Sequence, residues 1–395
     1  MQMEPIQDES NSLHHLVEKI AEDGQGILYN TQNKGIILRT SQGRDTDRQC
    51  YDDVKILPLS SIKNIALPIS YLQAPSIGYT IAVPESYIPL NILESGGLKR
   101  RLLLLSELAK ILIQLHYMPA MYGSISPTRI FVSPSLPEIC LLYSVKMGHA
   151  MQFAQELDSD PYISPEAKAG SGGTILSDSY VFAALARDML DGFAISEELD
   201  SLLEHAMSDT PTQRPRILEI HQNLIKQADC LLTCKSCQAG FDYELTVCPS
   251  CQTPAPKMIK ARIYDKFDKV NGRKSEQGVK VLEIGTGRQF FWNYHTENTR
   301  LLTPPEPRIE CHLQVNAASK KLEMVFVNHM SKPFFIEDNV FQSGEKHVVP
   351  LPFDNTLSIS FLLYDEKGGK GNDGNNVNEF KESGKIKRYI DLVMS

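Results

Sequence analysis

Tyr122-Gly123-Ser124-Ile125-Ser126-Pro127-Thr128-Arg129-Ile130-Phe131-Val132 follows a long helical stretch, Leu98 to Tyr117, and the two together decide how the first half of the chain reads. Leu98, Leu102, Leu105, Leu108, Leu112 and Leu115 recur at three- and four-residue spacing, the stripe of a buried helix. Within the loop, Ser124 offers a hydroxyl that is no general base at neutral pH. Arg129 offers a cation with no lone pair, which repels a metal ion rather than ligating it.

The helix and loop resemble those of bacterial protein kinases, whose loops of the form YGDISPxNILV carry an Asp that accepts the substrate proton and, five residues on, an Asn that holds a metal ion. Ser124 and Arg129 stand at those two positions. Upstream, Ile20-Ala21-Glu22-Asp23-Gly24-Gln25-Gly26-Ile27-Leu28-Tyr29 resembles the glycine-rich loop over ATP phosphates, with Ala21 and Asp23 at the first two glycine positions. Taken alone, Asp23-Gly24-Gln25-Gly26 is a hairpin turn. Gly35-Ile36-Ile37-Leu38-Arg39 reads as the strand that ends in the phosphate-pairing lysine, with Arg39 in its place. Residues 46–60 are left for the next helix, which makes Lys55 a solvated helix residue. Leu67-Pro68 and Gly78 to Pro84 resemble the following strand pair, and Val83-Pro84-Glu85-Ser86 the hinge between lobes.

Downstream, Ile139 to Val145 resembles the strand into the metal-binding DFG, with the neutral Tyr143 at the aspartate position. Ser164-Pro165-Glu166-Ala167, Ser177 to Phe182, and Thr212-Gln213-Arg214-Pro215 resemble the family's APE, SDVYSLG and RPT segments. The resemblance implies a buried Glu166–Arg214 ion pair and an Asp178 that supports the loop backbone. Alternatively, Asp178 is a plain helix N-terminal residue and Arg214 a surface charge. With proton acceptor and metal ligands absent, the resemblance implies a pseudokinase with no catalytic residues, and the Asp23 charge speaks against ATP.

Cys234-Lys235-Ser236-Cys237, ten intervening residues, and Cys248-Pro249-Ser250-Cys251 have zinc-ribbon spacing. Four thiolates give a closed tetrahedral Zn²⁺ site at Cys234, Cys237, Cys248 and Cys251, and the metal supplies the folding energy that so short a module cannot bury. Asp242 and Glu244 between the knuckles point to a spacer or protein contact.

Beyond Gln252-Thr253-Pro254-Ala255-Pro256, strands are expected at Val279–Ile284, Phe290–Trp292, Glu310–Val315, Leu322–Val327, Phe334–Ile336, Val348–Leu351, Leu357–Leu363 and Ile386–Val393, the pattern of a β-sandwich. Their order resembles a forkhead-associated domain, a phosphothreonine reader that grips phosphate with an Arg and a Ser. Arg288 matches the first, whereas Glu310 stands where it would repel phosphate, which argues against a phosphopeptide ligand.

The chain has 395 residues, room for several domains, with 42% hydrophobic and 22% charged residues, ordinary globular usage. A net charge of −8 argues against nucleic acid as a partner of the whole chain. No apolar run is long enough for a bilayer, the polar N-terminus is no secretory signal, and CxxC pairs among eight cysteines suit a reducing compartment, so a cytoplasmic protein is expected.

The expected fold is multidomain α+β: a bilobal protein-kinase-like fold, a zinc ribbon and an all-β, forkhead-associated-like sandwich. Its segments are 1–90 (kinase-like N-lobe), 91–230 (C-lobe), 231–256 (ribbon) and 257–395 (sandwich). The resembled kinases occur beside von Willebrand factor A proteins and metal-dependent protein phosphatases, which implies a scaffold or regulator in bacterial phosphosignalling with proteins of those kinds as partners. The rival readings are an atypical kinase or nucleotide transferase using Glu22 or Asp23, and a nucleic-acid adaptor working through the ribbon.

Overall fold

The computed structural model describes residues 4–23, 26–41, 58–92, 96–123, 125–144, 147–148, 162–267, 274–284, 287–296, 306–336, 339–352, 356–364 and 386–394. The architecture is mixed α+β, mostly sheet with few helices. The chain divides into two compact units, Met1–Ile225 and Lys226–Ser395, and the ribbon cysteines belong to the second with the sandwich strands.

The first unit opens with a five-stranded antiparallel sheet ordered Leu16–Asp23, Gly26–Thr31, Ile36–Ser41, Gly78–Ala82, Pro68–Tyr71. Leu28, Ile37, Leu38, Tyr79 and Ile81 are buried in it. Two glycines flank the central strand for a steric reason. A Cβ on Gly26 would lie 1.8 Å from the Thr40 carbonyl oxygen, and one on Gly78 1.9 Å from that of Arg39, both at φ +146°. Gly26, read in the sequence as part of a phosphate-covering loop, thus admits close approach of its own sheet.

Of the helix expected over 46–60, residues 46–57 lie outside the described set, as does Lys55; the chain then makes a 3₁₀ turn at Leu59–Ser61. A proline at 58 with no free N–H, followed at once by this tighter turn, accounts for the difference there.

Helix Leu98–Tyr117 has the expected buried stripe and packs against helix Ile175–Leu190, which in turn packs on helix Glu197–Ala206. Thr174 and Ser177 form a reciprocal capping box that starts Ile175–Leu190. A small sheet ordered Ile65–Ala66, Ile139–Leu142, Ile130–Val132, Ile88–Pro89 ties four distant segments together.

In the second unit, an antiparallel sheet ordered Lys274–Glu283, Met258–Phe267, Ile386–Met394, Leu357–Tyr364, Phe334–Ile336, Asn339–Phe341 shares a core with a second sheet ordered Gln289–Trp292, Pro307–Val315, Leu322–Asn328, Lys346–Pro350. Ile259, Ile359 and Ile390 from the first meet Phe291, Ile309 and Phe326 from the second. The core also holds a charge pair: Arg388 Nε and Nη2 donate to Asp265 at 2.7 and 2.9 Å. Helix Ile217–Asp229 ends on a second one. Its Asp229 pairs with Lys280 and accepts from His295 Nε2 at 2.7 Å, while His295 Nδ1 accepts from the Trp292 amide at 3.0 Å. Burial and this acceptor role keep His295 neutral, with its pKa below the ordinary value.

Candidate functional site

The two cysteine knuckles are conformational copies. In each, the first cysteine amide donates to the carbonyl five residues on, Cys234 to Ala239 at 2.9 Å and Cys248 to Thr253 at 2.8 Å. The amide four residues on returns to the first cysteine carbonyl, from Gln238 at 3.0 Å and Gln252 at 2.9 Å. Both glutamines hold φ +60°, a left-handed turn uncommon for a residue with a side chain, and both side-chain amides donate to the carbonyl three residues back at 3.3 Å. The repeat Cys-x-Ser-Cys-Gln carries this geometry, a signal present in the sequence that the CxxC pattern alone misses.

The four sulfurs lie within 4.8 Å of one another, with Cys234–Cys251 at 3.5 Å and Cys237–Cys248 at 3.6 Å. These separations are too long for disulfides, at about 2.05 Å. They match the edges, roughly 3.8 Å, of a tetrahedron with metal–sulfur bonds of about 2.3 Å. Cys234 and Cys248 are buried and Cys237 and Cys251 exposed, so each knuckle gives one inner and one outer thiol. The Thr253 hydroxyl, 3.2 Å from Cys251 Sγ, together with the Thr253 backbone draws that thiol down to about 6. Four convergent sulfurs can hold a tetrahedral thiophilic metal ion such as zinc.

The ribbon does not close its own core. Leu232, Phe241, Cys234 and Cys248 cluster with Val281 of the sandwich strand Lys274–Glu283, and Met258 packs against them. The Thr233 amide donates to Glu283 at 3.1 Å, and Lys260 lies over the Tyr243 ring at 4.4 Å.

In the first unit, Asp178 sits in the first turn of helix Ile175–Leu190 and is 1% exposed. It accepts from the Tyr122 and Gly123 amides at 2.7 and 2.9 Å and meets His116 Nε2 at 3.0 Å, so it holds the loop after helix Leu98–Tyr117 by the backbone. Tyr122 adds a bond from its hydroxyl to the Leu142 carbonyl at 2.5 Å. Glu166 receives Arg214 in a two-pronged pair at 2.7 and 2.8 Å, and Ser177 donates to the same carboxylate at 2.6 Å. Burial pushes Glu166 upward, but the Arg214 and Ser177 bonds reverse this and hold it at about 2. Both contacts implied in the sequence for Glu166, Arg214 and Asp178 are therefore formed, and neither the plain helix-end nor the surface-charge alternative describes them.

Ser124 lies outside the described residues. Arg129 and Tyr143 are both buried, 1% and 0% exposed, with Arg129 Nη1 3.4 Å from the Tyr143 carbonyl. The Tyr143 ring meets Tyr79 edge-on at 5.6 Å, and Tyr79 stands opposite Arg39 on the neighbouring strand. Arg39, Tyr79, Arg129 and Tyr143 are thus all buried, with the two tyrosine rings in contact and Arg129 on the Tyr143 backbone.

Arg288, expected as a phosphate contact, is exposed and bonded to Glu310 at 3.2 Å. Glu310 is nearly buried and also meets His312 at 3.1 Å and His329 at 3.3 Å, so an internal carboxylate already engages the basic groups gathered there.

No protein-family model matches the sequence, and no curated protein matches it. No helix among the described residues is long and apolar enough to cross a membrane.

Proposed function

We propose that this chain is a catalytically inactive, protein-kinase-like scaffold or allosteric regulator in a bacterial phosphosignalling system. In this reading the first unit is a pseudokinase, the four cysteines hold structural Zn²⁺, and the sandwich is forkhead-associated-like. The partners are proteins, among them those of the von Willebrand factor A and metal-dependent phosphatase kinds, engaged in the cytoplasm.

One observation carries the reading: Arg129 and Tyr143, at the two positions that hold metal in the resembled kinases, are buried, with Arg129 on the Tyr143 backbone and the Tyr143 ring against Tyr79. The contacts with purely architectural roles, Asp178 to the loop and Glu166 to Arg214, are retained. Loss of the chemistry with retention of the frame is what a fold kept for its surfaces would display. In the sandwich, the Glu310 contacts favour a protein-contact role over phosphothreonine reading.

The test is phosphoryl transfer. Incubated with γ-labelled ATP and Mg²⁺ or Mn²⁺, the zinc-loaded chain is expected to label neither itself nor a generic acceptor protein. Metal-dependent labelling that disappears when Arg39 or Arg129 is replaced would overturn the reading in favour of an atypical kinase.

A further inference from the structure

Strand Met258–Phe267 turns Ile259, Ala261 and Ile263 toward the sandwich core, and its alternation puts Lys260, Arg262, Tyr264 and Lys266 on the opposite face of the sheet. The pairing register sets Lys266 opposite Lys274 on one neighbouring strand and opposite Lys387 on the other. Three lysines therefore stand in one row across three adjacent strands, at a spacing of about 4.8 Å between strands. Arg262 lies on the same face, two pairs along.

Like charges placed directly opposite one another destabilise a sheet. One acid stands beside the row on the same face, Glu276 opposite Tyr264 in the next pair. Among the described residues, none of Arg262, Lys266, Lys274 and Lys387 forms an ion pair. The acid closest in register to Arg262 is Asp391, and it already accepts from the Tyr264 hydroxyl at 2.9 Å and the Ser358 hydroxyl at 2.5 Å. The charge is also regional: the unit Lys226–Ser395 holds 23 Lys and Arg against 21 Asp and Glu, whereas Met1–Ile225 holds 17 against 27.

Aromatic residues decide between two kinds of polyanion. Tyr264 and Tyr389 stack at 5.4 Å and 8°, and Lys274 lies over the Tyr264 ring at 4.4 Å. With both faces of Tyr264 covered, that ring is no platform for a base, and a row of cations without one suits carboxylates better than single-stranded nucleic acid. We propose that this face, through Lys266, Lys274, Lys387 and Arg262, docks an acidic segment of a partner protein. The surface deepens the scaffold reading and rests on it only for its place in signalling.

The test uses the full zinc-loaded chain and a fluorescent oligoglutamate peptide, followed by anisotropy between about 50 and about 300 mM salt. Binding is expected at low salt and should weaken steadily as salt rises. The double variant Lys266→Glu, Lys387→Glu should lose about tenfold or more in affinity, while Arg288→Gln, just before strand Gln289–Trp292 of the other sheet, should leave it unchanged. Thermal unfolding checks that each variant folds; should the Glu pair fail, Lys266→Gln with Lys387→Gln provides the same comparison with a smaller loss. Absence of salt-sensitive binding, binding unaltered by either folded pair, or oligothymidylate bound as tightly as oligoglutamate would overturn the proposal. Such a failure would leave the catalytic inactivity standing, and phosphoryl transfer by the chain would leave this surface standing, so the two fail separately.

Discussion

Removing the metal will unfold the ribbon and lower the stability of the sandwich that it packs on. Four thiols within 4.8 Å of one another have no reason to stay together without a cation, because ionised sulfurs repel and the knuckles contain no apolar core of their own. The metal contributes on the order of 10 kcal/mol to folding such a module. Val281 is shared between the ribbon cluster and strand Lys274–Glu283, so ribbon melting exposes part of the sheet as well. Chelation, or Cys248→Ser, is expected to abolish bound zinc, make the ribbon thiols reactive toward a thiol reagent, and lower the melting temperature of the second unit. Thiols that remain protected after the zinc has left would contradict a metal-held ribbon.

Breaking the Glu166–Arg214 pair has the second large effect. Arg214 is 4% exposed and is held on several sides: it donates to the Ser208 and Leu176 carbonyls and lies over the Tyr180 ring at 5.0 Å. Glu166→Gln leaves that guanidinium buried without its counter-charge, a loss of about 3–5 kcal/mol, or on the order of 10 °C in the melting temperature of the first unit. The pair also sets an acid limit. Glu166 titrates near 2 in the folded chain against an ordinary 4.5, so its contribution is fully present above pH 4.5 and disappears as the pH falls from there toward 2. With solvent screening of the partly accessible carboxylate allowed for, about 2 kcal/mol is lost over that window. Denaturant unfolding as a function of pH should show a decline steeper by about 2 kcal/mol in the natural chain than in Glu166→Gln; parallel profiles would mean that the pair carries no such linkage.

What could be read from sequence followed local pattern. The leucine stripe of Leu98–Tyr117 and the eight short apolar runs of the last third, set apart by turn residues, are local signals that survive without knowledge of their neighbours. CxxC spacing identified the four cysteines that come together. Strand Met258–Phe267 escaped notice because its inward alternation ends on Asp265, and the Arg388 that neutralises it lies on a strand far along the chain. The glutamines at φ +60° were hidden for a different reason: a left-handed turn is usually marked by Gly or Asn, and here only the repeated Cys-x-Ser-Cys-Gln signals it. Gly26 shows the converse case, in which a motif position was visible but its reason, the Thr40 carbonyl 1.8 Å away, was tertiary. The burial of Arg129 on Tyr143 was equally invisible, since sequence gives the residue type but not what surrounds it.

The central claim, that the first unit keeps a kinase-like frame without the nucleotide chemistry, is tested most directly by thermal unfolding of the zinc-loaded chain with and without ATP, in the presence and absence of Mg²⁺. A ligand that binds only the folded state must raise the midpoint by mass action, whether or not catalysis follows. With Arg39, Tyr79, Arg129 and Tyr143 all buried and the two tyrosine rings in contact, no Mg²⁺-dependent shift is expected at millimolar ATP. A rise that requires Mg²⁺ and is lost on replacing Arg129 would contradict the claim.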